Sequence, residues 1–186
     1  MENSKNNTGM KIVESAFKDL YILQGDWYED ERGKFRRTYC REDLKHSNIC
    51  LEISQCNLSV NIKAGTLRGF HYQVAPFEED KIMTAISGGI FNVALDLRKE
   101  SSTYLETHEH YLDSENSESL IIPKGFANAW LTMEDNTIIH YWMGNNYSPE
   151  HSRGIRFNDQ VINVKWPLPI SIVSNKDLNY PDFNKY

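Results

Sequence analysis

The sequence predicts an all-β protein, a sandwich or barrel built from short strands. Through the middle of the chain, clusters of Gly, Pro, Asn, Asp and Ser recur at roughly the 8- to 12-residue spacing that is typical of such folds. The segments between these clusters are rich in β-branched and aromatic residues, which favour strands. Only two short segments have a helical pattern, one from Arg41 to Lys45 and one near the carboxyl end.

Individual strands follow from alternation and from apolar runs. Alternating apolar and polar residues predict half-buried strands at 51–56 and 58–62. Two apolar runs, 82–86 and 90–95, flank Ser87-Gly88-Gly89, which predicts a hairpin across the two glycines. Four further strands are expected at 108–112, 120–122, 128–133 and 137–143.

One domain is expected. A chain of 186 residues can bury a core without disulfide or metal support. Residues 1–10 are polar and rich in Asn and Lys, so we expect a flexible extension there and a single domain at 11–186. No repeat and no low-complexity linker divides that domain.

Composition excludes several classes of function. The net charge is −6 and is spread along the chain, which argues against nucleic-acid binding. No apolar segment is long enough for a signal peptide or a membrane span, so no membrane partner is expected. The three cysteines form no Cys-x-x-Cys pair; they suit a reducing, cytoplasmic location and are interpreted as small buried residues.

The most informative segment is 66–74, where His71 follows Arg68 within a predicted strand. An imidazole can move a proton and a guanidinium can hold an anion. Residues three apart on a regular strand point to opposite faces, but Gly69 permits a bulge that would bring both to one face. A single histidine in a strand is more often structural, so its role depends on the ionisable residues elsewhere.

Other chemistries have weaker support. His108 and His110 share one face of a predicted strand, but no further metal ligands can be placed beside them. Nucleophile motifs and phosphate-binding glycine loops are absent. Any phosphate would therefore be held by arginines such as Arg32, Arg68 or Arg98.

Several separated motifs resemble those of the dTDP-4-dehydrorhamnose 3,5-epimerase family, in the same order over roughly residues 11–182. They are Gly65 to Gln73, Lys81, Phe91 to Ser101, and Ile122 to Ala127. The resemblance implies a cupin-like double-stranded β-helix, or jelly roll, with minor helices. It also implies a homodimer with exchanged amino-terminal strands, a nucleotide-diphosphate 4-keto-6-deoxysugar as substrate, and neither a metal nor any other cofactor.

The resemblance assigns catalytic roles to four residues. His71 matches the base, and Asp177 matches the carboxylate that orients the imidazole. Lys81 falls where the family stabilises an enolate, and Tyr141 where a tyrosine returns the proton from the opposite face.

Further residues match binding positions. Arg68 resembles the arginine that binds the diphosphate, and Arg32 with Phe35 resemble residues that the partner chain contributes to phosphate and base. Tyr147 resembles a second tyrosine of the pocket. Gln55 and Asn57 resemble a polar cluster on the preceding strand.

Three positions depart from the family pattern. Asn128 stands where the family has a pocket histidine, and Asn92 where it has an aspartate. If the two side chains meet, a charged pair has become a neutral one, which favours restricted stereochemistry. Arg37 stands where the family tends to have a glutamate that accepts a hydrogen bond from thymine N3. An arginine can only donate hydrogen bonds, so it suits a base edge that presents acceptors, as cytosine and guanine do. We therefore hypothesise that the substrate is a CDP- or GDP-linked sugar.

The resemblance therefore implies an epimerase that inverts C3, C5 or both in a nucleotide-diphosphate-linked 4-keto-6-deoxysugar, as used in surface polysaccharide synthesis. A 3,4-ketoisomerase shares the same first deprotonation and stays open. So does a catalytically silent sugar-nucleotide-binding protein, although such a protein has no need of His71, Lys81 and Tyr141 together. A metal-dependent cupin oxygenase is disfavoured because His71-Tyr72-Gln73 lacks a His-x-His pair.

Overall fold

The computed structural model describes residues 10–183. Most of the expected extension at 1–10 therefore lies outside the described residues. Met10 is described and is buried, with 8% of its surface exposed. Its backbone N–H donates to Asp43 Oδ2 at 3.2 Å, so the chain is already anchored at this residue.

Strands dominate the described part, as predicted. They are β1 Lys11–Glu14, β2 Tyr21–Gln24, β3 Tyr28–Asp30, β4 Gly33–Phe35, β5 Gln55–Asn61, β6 Thr66–Gln73, β7 Lys81–Ser87, β8 Gly89–Asp96, β9 Thr107–Asp113, β10 Glu118–Ile122, β11 Phe126–Thr132, β12 Thr137–Met143, β13 Ser152–Gly154 and β14 Ile172–Val173. Two short helices, α1 Arg41–His46 and α2 Asn175–Leu178, lie where helical patterns were predicted. Neither helix is long and apolar enough to cross a membrane.

The strands form two large sheets. The first has the order β1-β2-β10-β7-β12-β5 and the second β13-β6-β11-β8-β9, with β14 pairing to β6 in parallel. A buried cluster that includes Leu20, Met83, Leu112 and Leu120 draws on both sheets. Strands β3 and β4 form a separate hairpin, and β1 and β2 join the first sheet of their own chain through β10.

The predicted hairpin across Gly88 and Gly89 is wrong. Strand β7 belongs to the first sheet and β8 to the second, so the glycines carry the chain from one sheet to the other. Gly88 has φ +63°, and a Cβ there would lie 2.5 Å from Thr137 Oγ1. A turn signal marks a change of direction but does not reveal whether the next strand stays in the same sheet.

The two strands predicted at 51–56 and 58–62 are a single strand, β5, and residues 51–54 are not in a strand. Its alternation is real, but the side chains exposed to solvent are apolar: Leu58 is 62% exposed and Val60 58%. Cys50 and Cys56 are exposed too, so the expectation that the cysteines are buried is wrong for these two. Hydrophobic alternation identified the strand without identifying which face meets water.

Candidate active site

A bulge in β6 brings Arg68 and His71 to the same cavity. In the pairing of β6 with β11, Asn128 lies opposite His71 and Trp130 opposite Arg68, so β6 contains one extra residue over this interval. Gly69 has φ +118°, and a Cβ there would lie 2.5 Å from the carbonyl oxygen of Asn128. Only glycine suits this position, and the predicted bulge is confirmed.

The cavity lies between the two sheets and has a volume of about 430 Å³, within the range of small-molecule sites. All four residues with expected catalytic roles line it, together with three of the expected binding residues: His71, Lys81, Tyr141, Asp177, Arg68, Asn128 and Tyr147. These residues come from segments as far apart in sequence as β6 and α2. The fold thus brings together most of the site that the sequence predicted.

His71 and Asp177 form a close pair. Asp177 Oδ1 is 2.7 Å from His71 Nε2, and its Oδ2 accepts the Gly69 N–H at 3.3 Å. Burial raises the pKa of Asp177, but hydrogen bonds from His71, Gly69 and Ser174 outweigh it and leave that pKa below its ordinary value. An ionised carboxylate only accepts, so His71 donates from Nε2 to Asp177, and in the neutral imidazole the lone pair is then on Nδ1.

Short helix α2 fixes the carboxylate. Ser174 caps this helix, and its Oγ accepts the Asp177 N–H at 3.0 Å. The Asp177 residue is only 3% exposed. The orientation of the imidazole therefore rests on a side chain that is itself held at both its backbone and its carboxylate.

Tyr141 faces the cavity from the opposite sheet. It belongs to β12 of the first sheet, whereas His71 belongs to β6 of the second. Burial raises the pKa of Tyr141, partly opposed by the positive charge of Arg68. Its phenol is therefore protonated at neutral pH and can donate a proton.

Lys81 is held by a residue that the sequence reasoning missed. Its Nζ lies 2.9 Å from Glu79 Oε1 and 3.5 Å from the carbonyl oxygen of His71. Glu79 in turn accepts a hydrogen bond from Gln73 at 2.7 Å. The segment before Lys81 has no periodic pattern, so only the juxtaposition of an acidic residue and a lysine two positions apart could have suggested the pair.

Two cationic side chains, Arg68 and Lys176, line the cavity. Arg68 Nε donates to Asn61 Oδ1 at 2.8 Å, which fixes the guanidinium. Lys176, also missed from the sequence, lines the same cavity together with Tyr147, and its Nζ lies 5.9 Å from the centre of the Tyr180 ring. Burial lowers the pKa of Lys176, but these tyrosines outweigh it and raise the pKa above its ordinary value. Both groups can hold an anionic ligand.

Arg98, the third arginine considered for phosphate, serves the fold instead. It pairs with the fully buried Asp96 at 2.8 Å and stacks over the Phe126 ring at 4.5 Å. It does not line the cavity.

Arg32 and Phe35, expected to reach the nucleotide from a partner chain, and Arg37, expected to meet the base, do not line the cavity of their own chain. Arg32 bonds Asp30 within the β3–β4 hairpin, and Phe35 is 68% exposed. Arg37 pairs with Asp43 at 3.4 Å. One chain alone therefore does not bring these three residues to His71.

Gln55 and Asn57 also lie outside the cavity lining. Gln55 Oε1 accepts the backbone N–H of Tyr147 at 2.9 Å, so it positions the chain beside the site. Asn57 Nδ2 contacts Met143 Sδ at 3.5 Å. In this chain both residues contact residues that line the cavity, Tyr147 and Met143.

The two asparagines that depart from the family pattern do meet. Asn128 Nδ2 donates to Asn92 Oδ1 at 2.7 Å and lies 3.2 Å from the Val93 carbonyl oxygen. Both residues are buried, at 2% and 0% exposure. Asn128 thus lines the cavity beside His71, and Asn92 supports it from behind as the second member of a neutral amide pair.

His108 and His110 stack at 5.9 Å on β9, away from the cavity. His110 Nε2 pairs with Glu118 at 2.8 Å. Burial, and then the neighbouring His110, lower the pKa of His108 to about 4. Among residues 10–183, no three His, Cys, Asp or Glu side chains are arranged to hold a metal ion.

A jelly roll with a His–Asp pair on one wall of its cavity and a protonated tyrosine on the other defines a cupin-like protein whose cavity has groups suited to proton transfer. The sequence model of the dTDP-4-dehydrorhamnose 3,5-epimerase family matches residues 14–185. This chain belongs to that family, which is a family of isomerases.

Individual relatives agree. The dTDP-4-dehydrorhamnose 3,5-epimerase of Shigella flexneri is 33% identical over 175 residues, covering 94% of this chain and 96% of the relative. That of Sinorhizobium fredii is 35% identical over 180 residues, covering 93% and 92%.

A solved structure is similar throughout. The Bacillus anthracis dTDP-4-dehydrorhamnose 3,5-epimerase, with TDP and PPi bound, superposes with a TM-score of 0.91 at 33% identity, covering 94% of this chain and 100% of that one. The cupin-like fold predicted from the sequence is thereby confirmed.

Proposed function

We propose that this protein inverts C3, C5 or both in a nucleotide-diphosphate-linked 4-keto-6-deoxysugar. The observation that carries the proposal is the placement of His71 and Tyr141 on opposite sheets that face one cavity. Inversion requires proton removal on one face of a carbon and proton delivery on the other. A base and an acid on opposite walls meet that requirement.

The chemistry follows from the ketone. A C4 carbonyl acidifies the hydrogens on C3 and C5, so His71 Nδ1 takes one of them and the electron pair of the broken C–H bond forms an enolate. The Lys81 ammonium stabilises the negative charge on the enolate oxygen. Tyr141 then gives its proton to the opposite face of the same carbon. Solvent removes the proton from His71 and returns one to Tyr141, which restores the site.

Three features support a diphosphate-linked sugar. Arg68 and Lys176 place positive charge at the cavity, which suits a diphosphate. The related Bacillus anthracis structure contains TDP, and the dTDP-6-deoxy-D-glucose-3,5-epimerase of Legionella pneumophila, with 29% identity and a TM-score of 0.86, is in complex with dTDP-4-keto-L-rhamnose. We therefore propose a dTDP-linked sugar as the first substrate to test.

A CDP- or GDP-linked sugar is the second candidate, favoured by Arg37 at the position of a base-reading glutamate. The pairing of Arg37 with Asp43 weighs against that role in the isolated chain. Proton exchange in D₂O with dTDP-, CDP- and GDP-linked 4-keto-6-deoxysugars separates the two. Fastest exchange with the dTDP sugar supports the first candidate, and faster exchange with a CDP or GDP sugar supports the second.

The protein is proposed to act as a homodimer. The outer face of β5 and its continuation expose Leu58, Val60 and Ile62, at 62%, 58% and 70%. A contiguous apolar stripe of this kind is typical of an interface. A second copy seated there would cover the stripe, and its β3–β4 hairpin could supply Arg32 and Phe35 to a cavity that lacks them.

The alternative of a catalytically silent sugar-nucleotide-binding protein is tested by the same exchange reaction. Binding of a nucleotide sugar without deuterium incorporation at C3 or C5 would favour it. Exchange at either carbon would exclude it. The proposed setting is surface polysaccharide synthesis in the cytoplasm, which agrees with three cysteines that form no disulfide among themselves.

A further inference from the structure

The cavity contains a buried ion pair in which only one partner has an expected role. Glu79 Oε1 lies 2.9 Å from Lys81 Nζ, and the two side chains are 2% and 11% exposed. A buried carboxylate is costly unless it is paired and hydrogen-bonded. Lys81 is the one cation within ion-pair distance of Glu79 among residues 10–183. The negative charge of Glu79 is therefore balanced by that lysine.

The second carboxylate oxygen is anchored by Gln73. Gln73 Oε1 accepts the Ser148 N–H at 2.6 Å, so its Nε2 is the atom that faces Glu79. That Nε2 donates to Glu79 Oε2 at 2.7 Å and lies 2.9 Å from the Phe77 carbonyl oxygen. Glu79 is thus held on the side away from the lysine and cannot follow the ammonium if it moves.

This anchor restricts a flexible side chain. A lysine ammonium has three N–H donors on a four-carbon stem with many rotamers. Glu79 engages one donor, and the His71 carbonyl oxygen lies 3.5 Å away. Lys81 also lines the cavity, so a remaining donor is available to a ligand there.

We propose that Glu79 is a positioning residue that holds the Lys81 ammonium where an enolate oxygen develops. This inference rests on the proposed function. A donor fixed before the reaction needs no reorganisation in the transition state, which is how preorganised groups accelerate such steps. Glu79 lines the cavity, but both of its carboxylate oxygens are already engaged, one by Lys81 and the other by Gln73. Its effect on the reaction passes through Lys81.

A double-mutant cycle tests this dependence. The rate of deuterium incorporation and the KM are measured for the parent, Glu79→Gln, Lys81→Met and the double variant, with the nucleotide sugar that the parent accepts best. Glu78→Gln removes an exposed carboxylate one residue away and is the matched control. Thermal unfolding midpoints are measured for every variant.

We expect Glu79→Gln to lower kcat by about 10²-fold, the cost of misplacing a catalytic group by about 1 Å, with KM little changed. Lys81→Met should lower kcat by about 10²- to 10³-fold. In the Lys81→Met background, Glu79→Gln should cause no further loss, because the residue has nothing left to position. The Glu78→Gln control should behave as the parent does.

Glu79→Asp covers the case in which Glu79→Gln does not fold. The shorter side chain keeps the charge but withdraws the carboxylate by one methylene. If Glu79 positions the Lys81 ammonium, Glu79→Asp should lower kcat even where the unfolding midpoint is unchanged. A parent-like kcat in folded Glu79→Gln or in Glu79→Asp overturns the inference. The inference is also overturned if Glu79→Gln lowers kcat by the same factor in the parent and in the Lys81→Met background. Either result leaves the proposed epimerase function standing. A parent protein that exchanges hydrogen on no nucleotide sugar overturns the proposed function, and this inference with it.

Discussion

Replacing Asp177 by Asn removes one negative charge while keeping the shape of the side chain. In the protein, Oδ1 faces His71 Nε2 at 2.7 Å and Oδ2 accepts the Gly69 N–H at 3.3 Å. An asparagine has only one oxygen. If that oxygen stays with Gly69, the Nδ2 group faces His71 and needs an acceptor there, which forces the imidazole hydrogen from Nε2 to Nδ1.

The magnitude follows from these contacts. A hydrogen bond to a charged group contributes about 1.5–3 kcal/mol. Loss of that amount in the transition state slows the reaction by roughly 10- to 150-fold. The wrong tautomer also removes the lone pair that takes the proton, and general-base catalysis as a whole is worth about 10²- to 10⁴-fold. We expect kcat to fall within that second range, with nucleotide binding retained.

The assay is deuterium incorporation at C3 and C5, with ¹⁵N NMR of His71 to report the tautomer. Asp135→Asn is the matched control, because Asp135 also accepts a backbone N–H and pairs with a lysine but lies outside the cavity lining. An Asp177→Asn protein with the parent exchange rate, or with the parent tautomer at His71, would refute the proposed role of this carboxylate.

Three further predictions concern the fold, the acid response and the assembly. Gly69→Ala should destabilise the protein by more than the roughly 1–3 kcal/mol of a strained backbone position, because the added Cβ would also lie 2.5 Å from the Asn128 carbonyl oxygen. Gly33→Ala is the control: Gly33 has φ +121° and no atom within 4 Å of the added Cβ, so this variant measures the backbone strain alone. The free energy of unfolding of both variants is measured with denaturant. Folding lowers the pKa of Asp177 below its ordinary 3.8, so the stability that its carboxylate contributes is present above that pH and is lost as the pH falls through the folded pKa. The difference in the free energy of unfolding between the parent and Asp177→Asn should therefore shrink over the same pH range. A difference that stays constant with pH would contradict the shift. Leu58→Asp should convert a dimer to a monomer in light scattering, whereas Val161→Asp, at another exposed apolar residue, should not; a Leu58→Asp dimer would count against the proposed interface.

Much of the position of the candidate site could be predicted, because the motif residues, although distant in sequence, converge on one cavity. His71, Lys81, Tyr141 and Asp177 all line one cavity, and the need for Gly69 was visible from the three-residue spacing of Arg68 and His71. Those inferences depend on local backbone geometry and on residue chemistry, both of which the sequence carries.

Glu79 and Lys176 were missed for the opposite reason. Glu79 lies in an irregular segment where no periodicity indicates burial, and it is buried because Gln73 and Lys81 surround it. Lys176 reaches the cavity only because α2 packs beside β6. The hairpin error at Gly88 has the same origin, since the assignment of a strand to one sheet depends on partners that are distant in sequence.

The proposed mechanism has His71 remove a proton on one wall of the cavity and Tyr141 deliver one from the other, and Tyr141→Phe tests this most directly. NMR in D₂O follows deuterium incorporation and inversion separately at C3 and C5 of the best nucleotide sugar. Without the phenol, His71 can still remove a proton and return a deuteron to the same face, so we predict exchange with strongly reduced inversion. His71→Asn should abolish both. Inversion by Tyr141→Phe at the parent rate, or exchange by His71→Asn at the parent rate, would contradict the proposed mechanism.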